Sequence, residues 1–388
     1  MKAGIFTAVG VLMAFGAFAG QSEIAKWDPA MGESRAVIDT NGVKWIDGRY
    51  LPIEGRWTLG ATSNYYRRLP DTLTANVNGG VRGMRQHTSG MQFRFRTDSK
   101  FLVIRMKSLN GWHAMPHMTE VGTSGWDAYR FDAAAKAWRF VASNHGYRDV
   151  PARPGWREKR IGWRPGDACV INLPLYNGVA GFELGIASDA KIEALGPRAS
   201  GIEKPVVFYG TSITHGGCSS RPGLGWVNIV GRDLDVPVFG LGFSGSGVME
   251  YELSDVISRI DASCYVLDCL WNMSMSDPDS RGRSNRSVAK NYEKFIRNLR
   301  AKRPGVPIVM AEQCDVFCRG PNEKDCFIKS LYGKLVAEGW TDLVYLPKAD
   351  MYTGDCEGTV DGCHPNDLGM MSMAKAFGKA VREALKLK

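Results

Sequence analysis

The chain has 388 residues, and its 49 Lys and Arg residues against 40 Asp and Glu leave a formal charge of +9. A hydrophobic fraction of 44% supports compact cores, which excludes a disordered chain, a collagen-like repeat and a protein with many membrane spans. The length predicts two domains. The basic residues are scattered, with no run longer than Arg67-Arg68, so nucleic-acid binding is not expected.

The first 19 residues have the pattern of a signal peptide. Lys2 supplies a positive charge, residues 5–18 are nearly all apolar or small, and Ala17-Phe18-Ala19 has the small-x-small form of a cleavage site. The apolar stretch is shorter than the ~20 residues that a membrane-spanning helix needs. The sequence therefore predicts an exported protein, cleaved near Ala19, without a membrane span.

Residues 20–198 are predicted to form an all-β sandwich. Short runs in this half alternate apolar and polar residues, and clusters of Gly, Pro and Asn separate them. The predicted strands include residues 91–95, 101–106, 138–140 and 170–173. Helical periodicity is not evident in this half, which ends in a Gly-Pro-rich linker at 196–201.

Residues 199–388 alternate predicted strands and helices. Five apolar runs predict buried strands, at 205–209, 236–241, 264–270, 307–311 and 343–346. Apolar residues recur at helical spacing in 292–299 and 374–385. This alternation predicts a parallel sheet that is covered by helices on both faces. Functional residues of such sheets lie just beyond the carboxyl ends of the strands.

Residue types suited to hydrolysis follow these strand ends. Gly210-Thr211-Ser212 follows the first strand, and Gly242-Phe243-Ser244-Gly245 follows the second. Asn272 follows the third, and Asp361 precedes His364 by three residues ahead of the last helix. Taken singly, such a serine is typical of a helix N-cap, and the other three are typical of turns and loops. Because all four occur in this order, each at a strand end, they predict a catalytic site.

With these four blocks the second half resembles the SGNH hydrolases, also called the GDSL esterase/lipase superfamily. The first half resembles the β-sandwich of a bacterial subgroup named for a G-x-D-L-Y motif, which stands here as Gly-Trp-Asp-Ala-Tyr at 125–129. The segment 66–70 is also similar to that subgroup. This chain departs from it at Ala128 in place of Leu, at Gly240 in place of Asn and at Trp271 in place of Pro. The resemblance implies a flavodoxin-like three-layer hydrolase domain with a five-stranded sheet.

The residue types indicate a role for each member of the site. A serine hydroxyl becomes a nucleophile when a base takes its proton, and neutral imidazole suits that task near pH 7. Ser212 is the predicted nucleophile and His364 the base, with Asp361 fixing the tautomer of its ring. The predicted oxyanion donors are the backbone N–H groups of Ser212 and Gly245 and the side-chain amide of Asn272. This chemistry requires neither a metal nor an organic cofactor.

Three further residues are predicted to contact substrate because they lie near these segments: His215, Trp226 and Trp271. His117 is a fourth, because the resemblance implies that the first half lies beside the active site. For Trp271, packing against a covering helix is an equally weighted alternative to substrate contact. For His117, the equally weighted alternative is that its segment is a structural loop. The favoured function is an exported ester hydrolase that removes acetyl or other short acyl groups from a small-molecule or glycan ester through an acyl-enzyme. The alternatives are a lipid or short-chain acyl esterase, an acyltransferase and a non-catalytic carbohydrate-binding protein.

The nine cysteines leave the disulfide pattern open. Cys264 and Cys269 lie in or beside an apolar run and suit buried free thiols. Cys356 and Cys363 could close a glycine-rich loop. A third group could form pairs or bind a metal: Cys314, Cys318 and Cys326. Its C-x3-C-x7-C spacing, with no interleaved His, matches no zinc pattern. The sequence does not set the oligomeric state.

Overall fold

The computed structural model describes residues 36–58, 64–144 and 150–388. The predicted signal peptide and its cleavage site near Ala19 therefore lie outside the described residues. Within the described ranges, every helix is too short or too polar to cross a bilayer.

The described part of the first half forms two antiparallel sheets, as the alternating runs predict. Its elements are β1 (Val37–Ile38), β2 (Val43–Asp47), β3 (Ile53–Glu54), α1 (Gly79–Met84), β4 (Gln92–Thr97), β5 (Phe101–Ser108), α2 (Glu120–Ser124), β6 (Asp127–Asp132), β7 (Ala137–Ser143), β8 (Val150–Arg153), β9 (Trp156–Gly162), β10 (Ala168–Asn172), β11 (Val179–Ala187) and β12 (Ile192–Ala194). The strand orders are β1-β2-β11-β5-β9-β8 and β12-β4-β10-β6-β7, with β3 paired to β4.

The helices α1 and α2 are absent from the sequence prediction. Each is six residues or shorter, so neither completes the two turns that periodicity needs. Both depend on a local cap instead. The Asn78 side chain accepts a hydrogen bond from the Val81 amide, and the Thr119 side chain accepts one from the Gly122 amide.

The second half forms a parallel five-stranded sheet between helical layers. Its elements are β13 (Val206–Gly210), α3 (Ser212–His215), α4 (Trp226–Leu234), β14 (Val238–Gly242), α5 (Tyr251–Ile257), β15 (Cys264–Asp268), α6 (Val288–Lys302), β16 (Ile308–Ala311), α7 (Glu323–Ala337), β17 (Leu343–Leu346) and α8 (Asp367–Ala384). The strand order β14-β13-β15-β16-β17 is the flavodoxin-like order 2-1-3-4-5. The predicted fold class is confirmed.

The two halves share a packed core. Leu69, Val77 and Val81 of the first half belong to the same buried cluster as Tyr209 and Phe243 of the second half. The two halves therefore pack on each other directly, whereas the predicted boundary at residues 198 and 199 stays a prediction.

Arg68 joins the two halves at strand β14. Its guanidinium is fully buried and donates hydrogen bonds to the carbonyl oxygens of Gly240 at 3.0 Å and Gly242 at 2.8 Å. A Cβ atom at residue 240 would lie 2.9 Å from the Ser89 carbonyl oxygen, because the backbone of the first half runs directly against the strand. This close approach leaves little room for a side chain at Gly240.

Candidate active site

Ser212 lies at the carboxyl end of β13, on a turn that only glycine allows. A Cβ atom at Gly210 would fall 1.9 Å from Thr214 Oγ1, so the chain reverses tightly into α3. Thr211 caps this helix by accepting a hydrogen bond from the Ile213 amide at 3.2 Å. The turn places Ser212, which is 7% exposed, at the edge of the sheet where the other strands also end.

Ser212, His364 and Asp361 form one hydrogen-bonded chain. His364 Nε2 lies 2.9 Å from Ser212 Oγ, and His364 Nδ1 lies 2.7 Å from Asp361 Oδ2. The second Asp361 oxygen, Oδ1, accepts hydrogen bonds from the backbone amides of His364 and Cys363. The loop between β17 and α8 therefore orients the carboxylate and the ring together, and folding brings residues 212 and 364 within hydrogen-bonding distance.

The surroundings of Asp361 favour its ionised form. Partial burial alone would raise the pKa of this carboxyl, but the hydrogen bonds from the His364 amide, the His364 ring and the Cys363 amide outweigh burial. The net pKa lies below its ordinary value. An ionised Asp361 accepts the Nδ1 proton of His364, which leaves the lone pair of Nε2 directed at Ser212.

The predicted oxyanion donors lie beyond the neighbouring strand ends. Gly245 has φ +66°, a conformation that favours glycine and turns the loop after β14 back towards β13. Asn272 ends a short 3-10 helix, Leu270–Asn272, after β15. Its Oδ1 accepts a hydrogen bond from the Gly247 amide at 3.2 Å, which fixes the side chain and leaves its NH₂ group as the donor end.

Arg286, which no sequence pattern predicts, connects these two loops. Its Nη1 donates to the Gly245 carbonyl oxygen at 2.9 Å and to the Asn272 carbonyl oxygen at 3.1 Å. The guanidinium therefore holds the backbones of both predicted donors at a fixed separation. An arginine in a polar loop before α6 has no distinguishing spacing, so no sequence signal could have identified it.

We expect Asn272→Ala to lower kcat by about 10²–10³-fold with little change in KM, because an oxyanion donor acts mainly in the transition state. Steady-state kinetics on p-nitrophenyl acetate measure kcat and KM separately. Asn41→Ala is the matched control, because Asn41 is exposed in a turn of the first half and the variant should keep normal kcat. An unchanged kcat in Asn272→Ala would remove Asn272 from the oxyanion hole.

Two of the predicted substrate contacts are buried instead. His215 is fully buried, with its ring stacked on Tyr176 at 4.2 Å and Nε2 lying 3.3 Å from His87 Nδ1. Burial, and then Arg68 and His87, hold the pKa of His215 well below its ordinary value, so the ring is neutral. Nearness in sequence to Ser212 misled the prediction, because α3 turns its last residue inwards.

Trp226 also differs from the expectation. Its indole is fully buried, stacks on Phe377 at 4.1 Å and donates from Nε1 to the Ile213 carbonyl oxygen at 3.2 Å. It is the first residue of α4, and it packs that helix against α8. Neither His215 nor Trp226 is available to a substrate in this structure.

The other two predicted contacts lie at the surface of the site. His117 is exposed, and its ring centroid lies 5.6 Å from that of His364. Trp271 is half-buried, donates from Nε1 to the Cys314 carbonyl oxygen and lies 5.3 Å from the Arg319 guanidinium. Trp271 packs against a buried cluster that includes residues of α8, and its contact with substrate stays a prediction.

Residues of the G-x-D-L-Y-like motif form hydrogen bonds that connect the sandwich to the second half. Asp127 is fully buried and accepts hydrogen bonds from Arg221 Nη1 at 2.7 Å, the Gly223 amide at 2.9 Å and Asn172 Nδ2 at 2.8 Å. The Tyr129 hydroxyl bonds the same Arg221 guanidinium. The motif thus holds the segment that follows the Ser212 helix.

Asp268 is a buried carboxyl directly beneath the site. Its Oδ2 accepts a hydrogen bond from Thr214 Oγ1 at 2.7 Å. Burial raises the pKa of Asp268 to about 7, against the hydrogen bonds from Thr214 and Cys314, which lower it. The folded state therefore binds this proton at pH values where the unfolded chain releases it.

We expect this carboxyl to make the protein less stable as the pH rises from about 4 to about 7. Between those values the folded state holds more protons than the unfolded state, so the free energy of unfolding falls with pH. Asp268→Asn, which keeps an acceptor for Thr214, should remove this part of the pH dependence. Urea unfolding of both proteins at pH 5 and pH 8 measures it, and a stability difference that is equal at both pH values would contradict the expectation.

All nine cysteines, each within the described residues, are free thiols in this structure. Cys264 and Cys269 are fully buried, as the apolar run predicts. Cys356 and Cys363 do not form the bond that could have closed the glycine-rich loop.

Two family models match the chain. Residues 203–382 match the GDSL-like Lipase/Acylhydrolase family, and residues 43–192 match the N-terminus of Esterase_SGNH_hydro-type, the GxDLY domain. A comparison with curated proteins finds no match.

Solved structures share the arrangement of both halves. One is a protein assigned as a GDSL-like lipase from Bacteroides ovatus ATCC 8483, with 26% identity, a TM-score of 0.74 and coverage of 89% of this chain and 99% of that one. Another is the salicylyl-acyltransferase SsfX3 from a tetracycline biosynthetic pathway, with 18% identity, a TM-score of 0.65 and coverage of 90% and 97%. A third is a family two carbohydrate esterase from Clostridium thermocellum in complex with cellohexaose, with 15% identity, a TM-score of 0.52 and coverage of 77% and 93%.

The last two similarities, at under 25% identity, show the fold alone. Together, the fold and the family matches define an ester hydrolase of the SGNH type. Residues 203–382 form a domain of the GDSL-like lipase/acylhydrolase family, and residues 43–192 form a GxDLY-type N-terminal domain.

Proposed function

We propose that this esterase acts after export and removes short acyl groups, above all acetyl, from carbohydrate through an acyl-enzyme on Ser212. The observation that carries the proposal is the hydrogen-bonded chain from Asp361 through His364 to Ser212, with distances of 2.7 and 2.9 Å. That order of carboxylate, imidazole and hydroxyl is what nucleophilic ester cleavage by serine requires.

In the first step Ser212 Oγ attacks the acyl carbon while His364 Nε2 takes the hydroxyl proton. The resulting oxyanion accepts hydrogen bonds from the Ser212 and Gly245 amides and from Asn272 Nδ2. The imidazolium stays paired with Asp361, then passes its proton to the leaving alcohol. A water molecule repeats the sequence on the acyl-enzyme and releases the carboxylic acid.

The open position of the site supports a short acyl group on a bulky alcohol. The side chains of His364 and Asp361 are 22% and 39% exposed, so the acid–base pair faces solvent directly. A long acyl chain gains its binding energy by burial against apolar surface, whereas acetyl needs little such surface. Trp271 and His117 border the site and offer an aromatic face and a hydrogen-bonding ring, both of which suit sugars. Carbohydrate as the substrate class rests further on analogy with the related enzymes.

An acid-release assay tests the proposal. Purified residues 20–388 would be incubated with acetylated xylan, acetylated pectin and p-nitrophenyl esters of increasing acyl length, with and without an added alcohol acceptor. We expect acetate release from a polysaccharide and a rate that falls as the acyl chain lengthens. Cleavage confined to long chains would favour a lipid esterase, and transfer to the acceptor in preference to water would favour an acyltransferase. Either result would contradict the proposal.

The export part of the proposal has its own test. After expression of the full chain in a bacterium, the N-terminus of the protein recovered outside the cytoplasm should begin near Gly20. Recovery in the cytoplasm alone, with Met1 or Lys2 at the N-terminus, would contradict export.

A further inference from the structure

Three metal-ligating side chains converge in the predicted site, and one of them is the predicted catalytic base, His364. One donor atom from each of His117, Cys218 and His364 lies within 4.8 Å of the other two. The mechanism proposed above assigns no role to the Cys218 thiol.

Hydrogen bonds hold the three segments together. The Cys218 amide donates to the Pro365 carbonyl oxygen at 3.2 Å, which ties the segment after α3 to the His364 loop. The Thr119 hydroxyl donates to the Ser220 carbonyl oxygen, which ties the His117 loop to the same segment. Met115 and Met118 exchange backbone hydrogen bonds of 3.1 Å around His117. The three donors therefore approach each other because of the fold, although they come from both halves of the chain.

We infer that His117, Cys218 and His364 bind a zinc ion, and that this ion inhibits the enzyme reversibly. One thiolate and two imidazoles are a ligand set that Zn²⁺ accepts, with water in the fourth position. In tetrahedral zinc sites the donors stand about 3.3–3.7 Å apart, so separations of at most 4.8 Å need to shrink by no more than about 1.5 Å. His117 is exposed and can supply this movement by rotating its side chain.

Inhibition follows from the lone pair that zinc would use. His364 Nδ1 is bonded to Asp361, so Nε2 is the nitrogen available to a metal. That same lone pair takes the Ser212 proton in the proposed mechanism. On binding, the Cys218 Sγ–metal bond forms and the S–H bond breaks, and the proton passes to solvent. No oxidation or reduction is involved.

Metal binding is measured directly with cobalt(II), which substitutes for zinc and gives absorption bands that zinc does not. Purified residues 20–388, with thiols reduced and reductant removed, would be titrated with CoCl₂. We expect a near-ultraviolet thiolate-to-cobalt band and the visible bands of four-coordinate cobalt, displaced by ZnCl₂. Cys218→Ser should lose the thiolate band, and His117→Gln, a change at an exposed position, should weaken cobalt binding at least about tenfold.

Cys363→Ser is the matched control, because Cys363 is a neighbouring thiol outside the cluster and its replacement should leave the thiolate band in place. The absence of the band in the wild type, or an equal band in Cys218→Ser, would overturn the inference. These readouts do not depend on activity, so they separate metal binding from the proposed function.

The inhibition itself rests on the proposed function. With p-nitrophenyl acetate, ZnCl₂ should suppress wild-type activity and a chelator should restore it. Cys218→Ser should require at least about tenfold more zinc for half-inhibition. Activity that is unaffected by zinc at concentrations that displace cobalt would contradict the inhibitory role.

Discussion

We expect Ser212→Ala and His364→Ala each to lower kcat on p-nitrophenyl acetate by about 10⁴-fold or more. The first change removes the atom that forms the acyl-enzyme, and the second removes the group that takes its proton. Ser212 Oγ and His364 Nε2 lie 2.9 Å apart and act together in the same step. The double variant should therefore be no slower than the slower single variant. Steady-state kinetics on the three purified variants measure both effects.

An exposed serine outside the predicted site supplies the control for this result. Ser330 is exposed on α7, and Ser330→Ala should retain activity of the wild-type order. Full activity in Ser212→Ala would end the assignment of Ser212 as the nucleophile. Strictly additive losses in the double variant would show that Ser212 and His364 act independently.

The second large effect is a loss of stability when the hydrogen bonds of Asp127, which connect the two halves, are removed. We expect Asp127→Ala to lower the free energy of unfolding by about 3 kcal/mol, because the carboxylate is fully buried and its loss leaves Asn172 and the Gly223 amide without their acceptor. Arg221 is 20% exposed and recovers part of its solvation, which keeps the loss below that of a wholly buried pair. Urea unfolding, with the midpoint shifted and the slope unchanged, measures the loss.

Asp132 on the same strand is the matched control. Its carboxylate accepts hydrogen bonds from the Ala134 and Ala135 amides in an exposed turn, so Asp132→Ala should change stability little. Equal losses for the two variants would show that the hydrogen bonds of Asp127 across the two halves do not stabilise the fold.

The features predicted correctly from the sequence are those with a local signal. Buried parallel strands appear as short apolar runs, and the strand ends place residues 212, 245 and 272 at one edge of the sheet. The relation between Asp361 and His364 is also local, because three residues of loop suffice to set their contact. Their convergence on Ser212 could be expected because β17 leads its loop back to the same edge.

The features that were missed depend on contacts between distant residues. Arg68 bonds a carbonyl 172 residues away, and Arg286 bonds one 41 residues away, so neither leaves a periodic or spaced pattern. The burial of His215 and Trp226 depends in the same way on Tyr176 and Phe377, which pack against them from elsewhere in the chain. Nearness to Ser212 in sequence was therefore a poor guide to the substrate surface.

Covalent labelling of the nucleophile tests the central claim most directly. A fluorophosphonate ester reacts only with a serine whose proton a base removes, so intact-mass and peptide mass spectrometry report which hydroxyl is activated. We predict one adduct per chain, located on Ser212, with labelling slowed in His364→Ala and absent in Ser212→Ala. An adduct on another residue, or undiminished labelling in Ser212→Ala, would contradict the account.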